Sequence, residues 1–161
     1  MGQFSDYFRA ADAEIASLAI ASGPQDCGFD TVEAKGIPPD VVLSQLIAFI
    51  RRTPWSPVIA PTRLLWPPEK SGPTSKIYER LPENSPLRDG PFLQELSGDT
   101  RDTLASVDNA RLPELAAQWA RIEEMNSLWD EDSLLELLNE LVDLASSAQK
   151  AGDQLYCRST L

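Results

Sequence analysis

Residues 132–157, DSLLELLNELVDLASSAQKAGDQLYC, decide the fold. Apolar residues recur in this stretch at spacings of three and four, as expected for one face of a helix. Gly152 stands where a glycine commonly ends a helix, and residues 154–157 have the composition of a strand. The stretch therefore predicts a long amphipathic helix over 132–151 that turns back into a strand. The apolar stripe of this helix consists of Leu134, Leu137, Leu138, Leu141, Leu144 and Ala148.

Two further strands are predicted in the first quarter of the chain. Residues 3–11 contain three aromatic side chains, and Asp12 is of a type that commonly begins a helix. Residues 30–37 alternate between apolar and charged side chains, which is typical of a half-buried strand. We expect the strand at 154–157 to pair with the strand at 3–11.

A buried helix and a proline-rich segment are predicted in the middle of the chain. Residues 38–40, Pro-Pro-Asp, suit the first turn of a helix, and the apolar residues after them make it the most buried helix. Residues 54–91 hold nine of the 13 prolines. Because proline removes hydrogen-bond donors from a sheet, residues 56–59 and 62–66 are predicted as short edge strands. The polar residues 67–90 are predicted to form a long, mobile surface loop.

Helical patterns return after residue 90. One helix is predicted over 92–104, with a weak point at Gly98, and another over 112–122. A length of 161 residues fits one domain. We therefore predict one α+β domain over residues 1–161. A small mixed or antiparallel sheet of N-terminal, central and C-terminal strands carries about five helices and a proline-rich surface loop.

The two ends of the chain resemble one family. The residues YFRAAD at 7–12, before a short leucine-bearing helix, resemble the start of the YfbM-like small bacterial proteins of unknown function. The Trp-Asp-Glu opening at 129–131, the long helix and the Gly-Asp turn at 152–153 resemble their ending. The resemblance implies a one-domain α+β fold and no activity, and the proline-rich middle departs from the family pattern.

The charge distribution limits the classes of partner. The chain has 25 acidic and 14 basic residues and a formal net charge of −11. Residues 1–82 carry a net charge of −1 and residues 83–161 a net charge of −10. An acidic half repels nucleic-acid phosphates and anionic membranes but attracts a basic protein. Since the sequence shows neither a secretory signal nor a membrane-spanning apolar run, we expect a cytoplasmic protein.

The residue types limit the possible chemistry. The chain has no histidine, which excludes a Ser-His-Asp triad, a Cys-His pair and histidine-ligated metals. Neither nucleotide-binding glycine motifs nor the spacing of a calcium loop occur. Cys27 and Cys157 are expected to be free thiols in a reducing compartment. We therefore expect no cofactor and lean against an enzyme.

Two sets of residues are candidates for binding a partner. Asp132, Glu136, Glu140 and Asp143 follow one outward stripe of the last predicted helix, which we call the acidic ridge. Such a ridge is either a solvated face or a docking surface, and like charges four residues apart do not favour the helix itself. Trp55 and Trp66 flank the first part of the proline-rich segment and are either buried or part of a binding groove.

The leading hypothesis is a non-enzymatic acidic protein-binding module that docks a basic partner, as an immunity or antitoxin protein does. The alternative is a small-molecule-binding protein or a carboxylate- and arginine-dependent enzyme, for which Tyr7, Glu33, Lys35 and Arg63 are the candidates. A structural or assembly subunit is a third hypothesis. Convergence of the four candidate side chains on one pocket would favour the alternative.

Overall fold

The computed structural model describes residues 3–68, 90–125 and 128–161. The described residues form a five-stranded antiparallel sheet with strand order β2-β1-β5-β4-β3. With the helices packed on the sheet, this arrangement confirms the predicted single α+β domain. The strands are β1 (Phe4–Ala10), β2 (Thr31–Glu33), β3 (Thr62–Trp66), β4 (Phe92–Leu96) and β5 (Gln154–Thr160).

The strand β5 lies at the centre of the sheet. It pairs with β1 along its whole length, from Phe4 opposite Thr160 to Ala10 opposite Gln154. On its other side it pairs with β4. The predicted pairing of the two terminal strands is therefore confirmed, and β5 is the strand that joins the two halves of the sheet.

Helices connect the strands and cover the sheet. A π-helical turn over Pro39–Leu43 leads into α3, and 3-10 turns cover Asn109–Arg111 and Glu123–Met125. The α-helices are α1 (Ala13–Ala16), α2 (Ala19–Ser22), α3 (Ser44–Arg51), α4 (Gly98–Ala105), α5 (Leu112–Ala120) and α6 (Glu131–Ala151).

The long helix α6 confirms the prediction made from its leucines. The Asp130 side chain accepts a hydrogen bond from the Ser133 N–H at its start, and Gly152 ends it with a φ of +73°. Glycine adopts this left-handed conformation without the steric penalty of a Cβ. All six residues of the predicted apolar stripe are buried.

Two apolar cores lie on opposite faces of the sheet. The larger core packs α3, α4, α5 and α6 on one face, and Trp119 is fully buried there. The Trp119 Nε1–H donates to the Val42 carbonyl at 2.9 Å. The smaller core packs the helices α1 and α2 against the other face, where the Phe8 and Tyr156 rings lie 5.6 Å apart.

The predicted helix over 92–104 is wrong in its first half. Residues 92–96 form the strand β4, and α4 begins only at Gly98, with Ser97 as its N-cap. The strand has sheet neighbours on both sides and buried side chains on both faces, including Gln94. A strand buried on both faces lacks the apolar–polar alternation that distinguishes it from a helix.

The proline-rich segment departs from the prediction at one of its two strands. Residues 56–59 form a turn, closed by a 3.2 Å hydrogen bond from the Ile59 N–H to the Ser56 carbonyl. Residues 62–66 do form the edge strand β3. The predicted mobile loop over 67–90 lies, except for Pro67, Pro68 and Gly90, outside the described residues.

Candidate functional site

A groove runs along the outer edge of β2. It has a volume of about 460 Å³, and the side chains of α6 form its opposite wall. A second depression, of about 730 Å³, continues from it towards the start of β1. Both depressions are lined by Gln25, Glu33 and Trp129, and we call them together the acidic groove.

Carboxylates dominate the lining of the acidic groove. Among the described residues that line it, Lys35 is the only cationic side chain. Uncompensated carboxylates in a concave surface create a negative potential that concentrates cations. The carboxylates that line the groove are Asp6, Asp26, Glu33, Glu136 and Glu140.

Trp129 lies at the junction of the two depressions. Its Nε1–H donates to the Lys35 carbonyl at 2.8 Å, which holds the half-buried ring against the residues that follow β2. The Lys35 ammonium lies over the Phe4 ring, 5.5 Å from its centroid. An aromatic wall beside carboxylates suits a guanidinium or ammonium group, which the π face of the ring attracts.

Asp6 and Glu33 are direct cross-strand neighbours on β1 and β2. The Gln25 Nε2–H donates to Glu33 at 2.9 Å. Burial and the negative charge of Glu33 raise the pKa of Asp6, and Arg158 opposes this rise. The surroundings of Asp6 in the groove therefore favour its neutral form. A cation bound nearby would oppose this rise in pKa and favour the ionised form.

Replacing Asp6 with asparagine is expected to stabilise the free protein slightly at neutral pH. Because the pKa of Asp6 is higher in the folded chain, protonation favours folding, and this contribution is lost as the pH rises through the folded pKa. The stability gained by Asp6→Asn should therefore grow as the pH rises from about 3 to about 7. Thermal unfolding of both proteins across this range measures it, and a gain that shrinks with rising pH would contradict the assignment.

The acidic ridge divides into two pairs. All four ridge residues are exposed, as the sequence predicted, and Glu136 and Glu140 line the acidic groove. Asp132 and Asp143 are not among its lining residues. The structure thus gives two of the four ridge carboxylates a place in a concave site.

The two tryptophans of the proline-rich segment do not line the acidic groove. Trp55 is 46% exposed, and its Nε1–H donates to the Ser44 hydroxyl at 2.9 Å. Trp66 is half-buried at the end of β3 and packs against the smaller core. Since β3 is the edge strand opposite β2, the structure places Trp66 far from the ridge.

The four residues of the enzyme alternative do not converge on one pocket, although the strands that carry Tyr7 and Glu33 pair directly. Tyr7 is buried, and its hydroxyl donates to the Ile37 carbonyl. Burial raises its pKa well above the usual value, which makes it unsuited to proton transfer. Arg63 pairs with Glu95 at 3.0 Å on the opposite side of the sheet. Only Glu33 and Lys35 share a depression.

Nothing in the sequence indicated that Asp6, Gln25, Asp26 and Trp129 line a groove. Asp6 alternates with Phe4 and Phe8 along β1, a pattern that places all three on one face of the strand. The pairing of β1 with β2, which brings Asp6 beside Glu33, had no signal in the sequence.

The two cysteines are unpaired, as predicted. Cys157 is fully buried on β5, and its burial raises its pKa to about 12. Cys27 is exposed, and its Sγ donates to the Leu18 carbonyl at 3.3 Å.

A thiol reagent at neutral pH is expected to modify Cys27 rapidly and Cys157 only after unfolding, because the reactive species is an accessible thiolate. A disulfide-exchange titration with and without denaturant measures this difference. The Cys27→Ser variant serves as the control and should react only in denaturant. Two fast thiols in the native protein would contradict the buried position of Cys157.

In the described part of the chain, no group of three or more histidine, cysteine, aspartate or glutamate side chains is arranged to hold a metal ion. None of the helices in the described ranges combines the length and the apolar character that crossing a membrane requires.

No protein-family model matches the chain, and neither a curated protein nor a solved structure matches it. The resemblance of the two ends to the YfbM-like proteins therefore stays a prediction.

Proposed function

We propose that this protein is a non-enzymatic acidic binding module that docks a basic protein, as an immunity or antitoxin protein does. One observation carries the proposal: five carboxylates and a fixed tryptophan line one continuous groove in which Lys35 is the only cation among the described lining residues. Such a lining is complementary to a segment rich in lysine or arginine.

Long-range attraction is the first step of the proposed mechanism. The formal charge of −11 and the exposed ridge carboxylates, including Asp132 and Asp143 outside the groove, attract a basic partner before contact. Electrostatic steering of this kind raises association rates and weakens as salt screens the charges. The association rate should therefore fall with increasing ionic strength.

Short-range contacts in the groove are the second step. Glu136 and Glu140 on α6 and Glu33 on β2 line the same groove, so the guanidinium and ammonium groups of a bound segment meet carboxylates on both walls. Arginine forms paired hydrogen bonds to a carboxylate, and its planar group also stacks on an aromatic ring such as that of Trp129. Binding also supplies positive charge near Asp6, whose ionised form the free protein disfavours.

The test is affinity capture from the organism that produces the protein, at low and at high salt, followed by reconstitution of the complex from purified components. We expect one strongly basic protein that is released as the salt concentration rises. The purified pair should bind with the same salt dependence.

The absence of a specific protein at either salt concentration would contradict the proposal, as would a captured partner whose purified form binds equally at both. Either result would favour the small-molecule alternative, with ligand screening directed at the 730 Å³ depression beside Lys35.

A further inference from the structure

The hydrogen-bonding direction of β2 shows which of its main-chain groups are open. The Ala34 N–H donates to the Ser5 carbonyl at 2.8 Å, and the Gly36 N–H donates to the Gln3 carbonyl at 2.7 Å. In an antiparallel pair, every second residue directs its N–H and C=O to its partner and the residues between direct theirs away. Thr31, Glu33 and Lys35 therefore direct their main-chain groups away from β1.

An independent contact agrees with this alternation. The Lys35 carbonyl, which the alternation directs outwards, accepts the hydrogen bond from Trp129 Nε1. In the described part of the chain, no residue forms a corresponding bond with the outward main-chain groups of Thr31 or Glu33. Both residues line the acidic groove, so an unpaired strand edge forms one side of the groove.

We infer that the basic partner enters the acidic groove as an extended segment and pairs with the outer edge of β2 as an additional strand. This inference rests on the proposed function and specifies how the partner binds. Main-chain hydrogen bonds of this kind supply affinity, and the side chains of the added strand supply specificity.

The positions of the carboxylates indicate the sequence of the added strand. Asp6 and Glu33 lie on the sheet face that carries the smaller core, whereas Glu136 and Glu140 belong to α6, which packs on the other face. Successive side chains of a strand point to opposite faces. An added strand therefore meets carboxylates on both of its faces, which suits adjacent basic residues rather than a basic–apolar alternation.

Charge also disfavours one competitor for an open edge, a second copy of the chain. Edge strands in natural proteins often carry lysine, which discourages unwanted pairing. Here Glu33 occupies the middle of the exposed edge, and each copy carries a net charge of −11. Two copies repel each other at this edge, whereas a basic strand is attracted to it.

The probe is a synthetic peptide, acetyl-Lys-Arg-Lys-Val-Lys-Arg-Lys-amide, added to the intact protein while amide hydrogen exchange is followed by NMR. We expect the Thr31 and Glu33 amides to exchange about tenfold or more slowly in the complex. The Val32 amide, which belongs to the existing ladder with β1, should not change and serves as the internal reference.

A pair of variants tests the same point without NMR. Thr31→Pro removes one outward N–H at an edge position where proline is tolerated, whereas Thr31→Val keeps it. We expect Thr31→Pro to bind the peptide about tenfold more weakly than Thr31→Val, which carries a changed side chain but keeps the N–H. If Thr31→Pro fails to fold, the exchange measurement on the unmodified protein decides.

The possible results distinguish the failure of strand addition from the failure of the proposed function, which is the docking of a basic partner. Salt-sensitive binding with unchanged exchange at Thr31 and Glu33 would overturn strand addition and leave the docking of a basic partner standing. Failure of the peptide to bind would also overturn strand addition, while the capture experiment would still decide whether a basic partner exists.

Discussion

The double variant Glu136→Lys/Glu140→Lys is expected to associate with the proposed basic partner at least about tenfold more slowly than the unmodified protein at low salt. Both carboxylates belong to the α6 wall of the acidic groove, so the change replaces attraction with repulsion at the point of entry. The salt dependence of the association rate should flatten at the same time. Stopped-flow association at several ionic strengths measures both effects.

The matched control lies on the same helix. Asp143 is exposed on α6, three residues from Glu140, and it is not among the lining residues of the acidic groove. Asp143→Lys therefore makes the same charge change as the single variant Glu140→Lys at a site outside the groove. We expect Glu140→Lys to slow association clearly more than Asp143→Lys. Equal effects would mean that overall charge, and not the groove, determines recognition.

Loss of fold is not expected to account for the effect of the double variant. The replaced side chains are exposed, and like charges four residues apart on a helix are mildly unfavourable. Introducing lysine next to Asp132 and Asp143 creates pairs of opposite charge on α6. The stability of the variant should stay within about 0.5 kcal/mol of the original, which denaturant unfolding measures.

Replacing Trp119 with alanine is expected to lower the free energy of unfolding by about 3–5 kcal/mol. The side chain, which belongs to α5, is fully buried in the larger core, and its removal leaves a large cavity. It also leaves the Val42 carbonyl without its 2.9 Å hydrogen bond. Since whole domains are stable by only about 5–15 kcal/mol, much of the variant should be unfolded at modest urea concentrations. Urea denaturation followed by circular dichroism measures the loss.

Two further variants serve as controls for the loss of stability expected for Trp119→Ala. Trp119→Phe keeps an aromatic ring but removes the donor, so its cost should be smaller than that of Trp119→Ala. Val58→Ala, at a side chain that is 77% exposed, should change stability by no more than about 0.5 kcal/mol. A loss below about 1 kcal/mol for Trp119→Ala would contradict the buried position of this residue.

The local pattern of apolar and polar residues was sufficient to predict the helices and strands that have one buried and one exposed side. The helix α6 has one apolar and one polar face, which its leucine spacing reveals, and Gly152 marks its end. Val32 and Ala34 are buried while Glu33 and Lys35 are exposed, as the alternation predicted. In both cases one side of the element faces water, so the periodic spacing of apolar and polar residues shows which side is buried.

The elements that were missed owe their structure to distant partners. The strand β4 is surrounded on both faces, and the polar Gln94 within it is buried because its amide donates to the Thr62 hydroxyl at 3.1 Å. The turn at residues 56–59 carries β-branched side chains, yet it makes no sheet pairing. Neither outcome follows from the neighbouring sequence.

The sequence marked Glu136 and Glu140 as partner-binding residues and Glu33 and Lys35 as candidates for the alternative function, and all four line the acidic groove. Glu136 and Glu140 follow from helical spacing, since one helix face can be drawn from sequence alone. Asp6 joins them only through the pairing of β1 with β2, and Trp129 only through its hydrogen bond to the carbonyl of a residue 94 positions earlier. A groove built between a strand edge and a helix depends on tertiary distances that no local pattern contains.

The central place of β5 also sets the order of events during synthesis. Residues 154–160 leave the ribosome after all the other strands, yet β1 and β4 meet only through them. The edges of β1 and β4 that pair with β5 must therefore stay unpaired while the intervening helices are made, although β1 can already pair with β2 and β3 with β4. Contacts this distant along a chain are slow to form, and unpaired strands that persist during translation are prone to aggregation. We thus expect the nascent chain to depend on chaperones until β5 is inserted between β1 and β4.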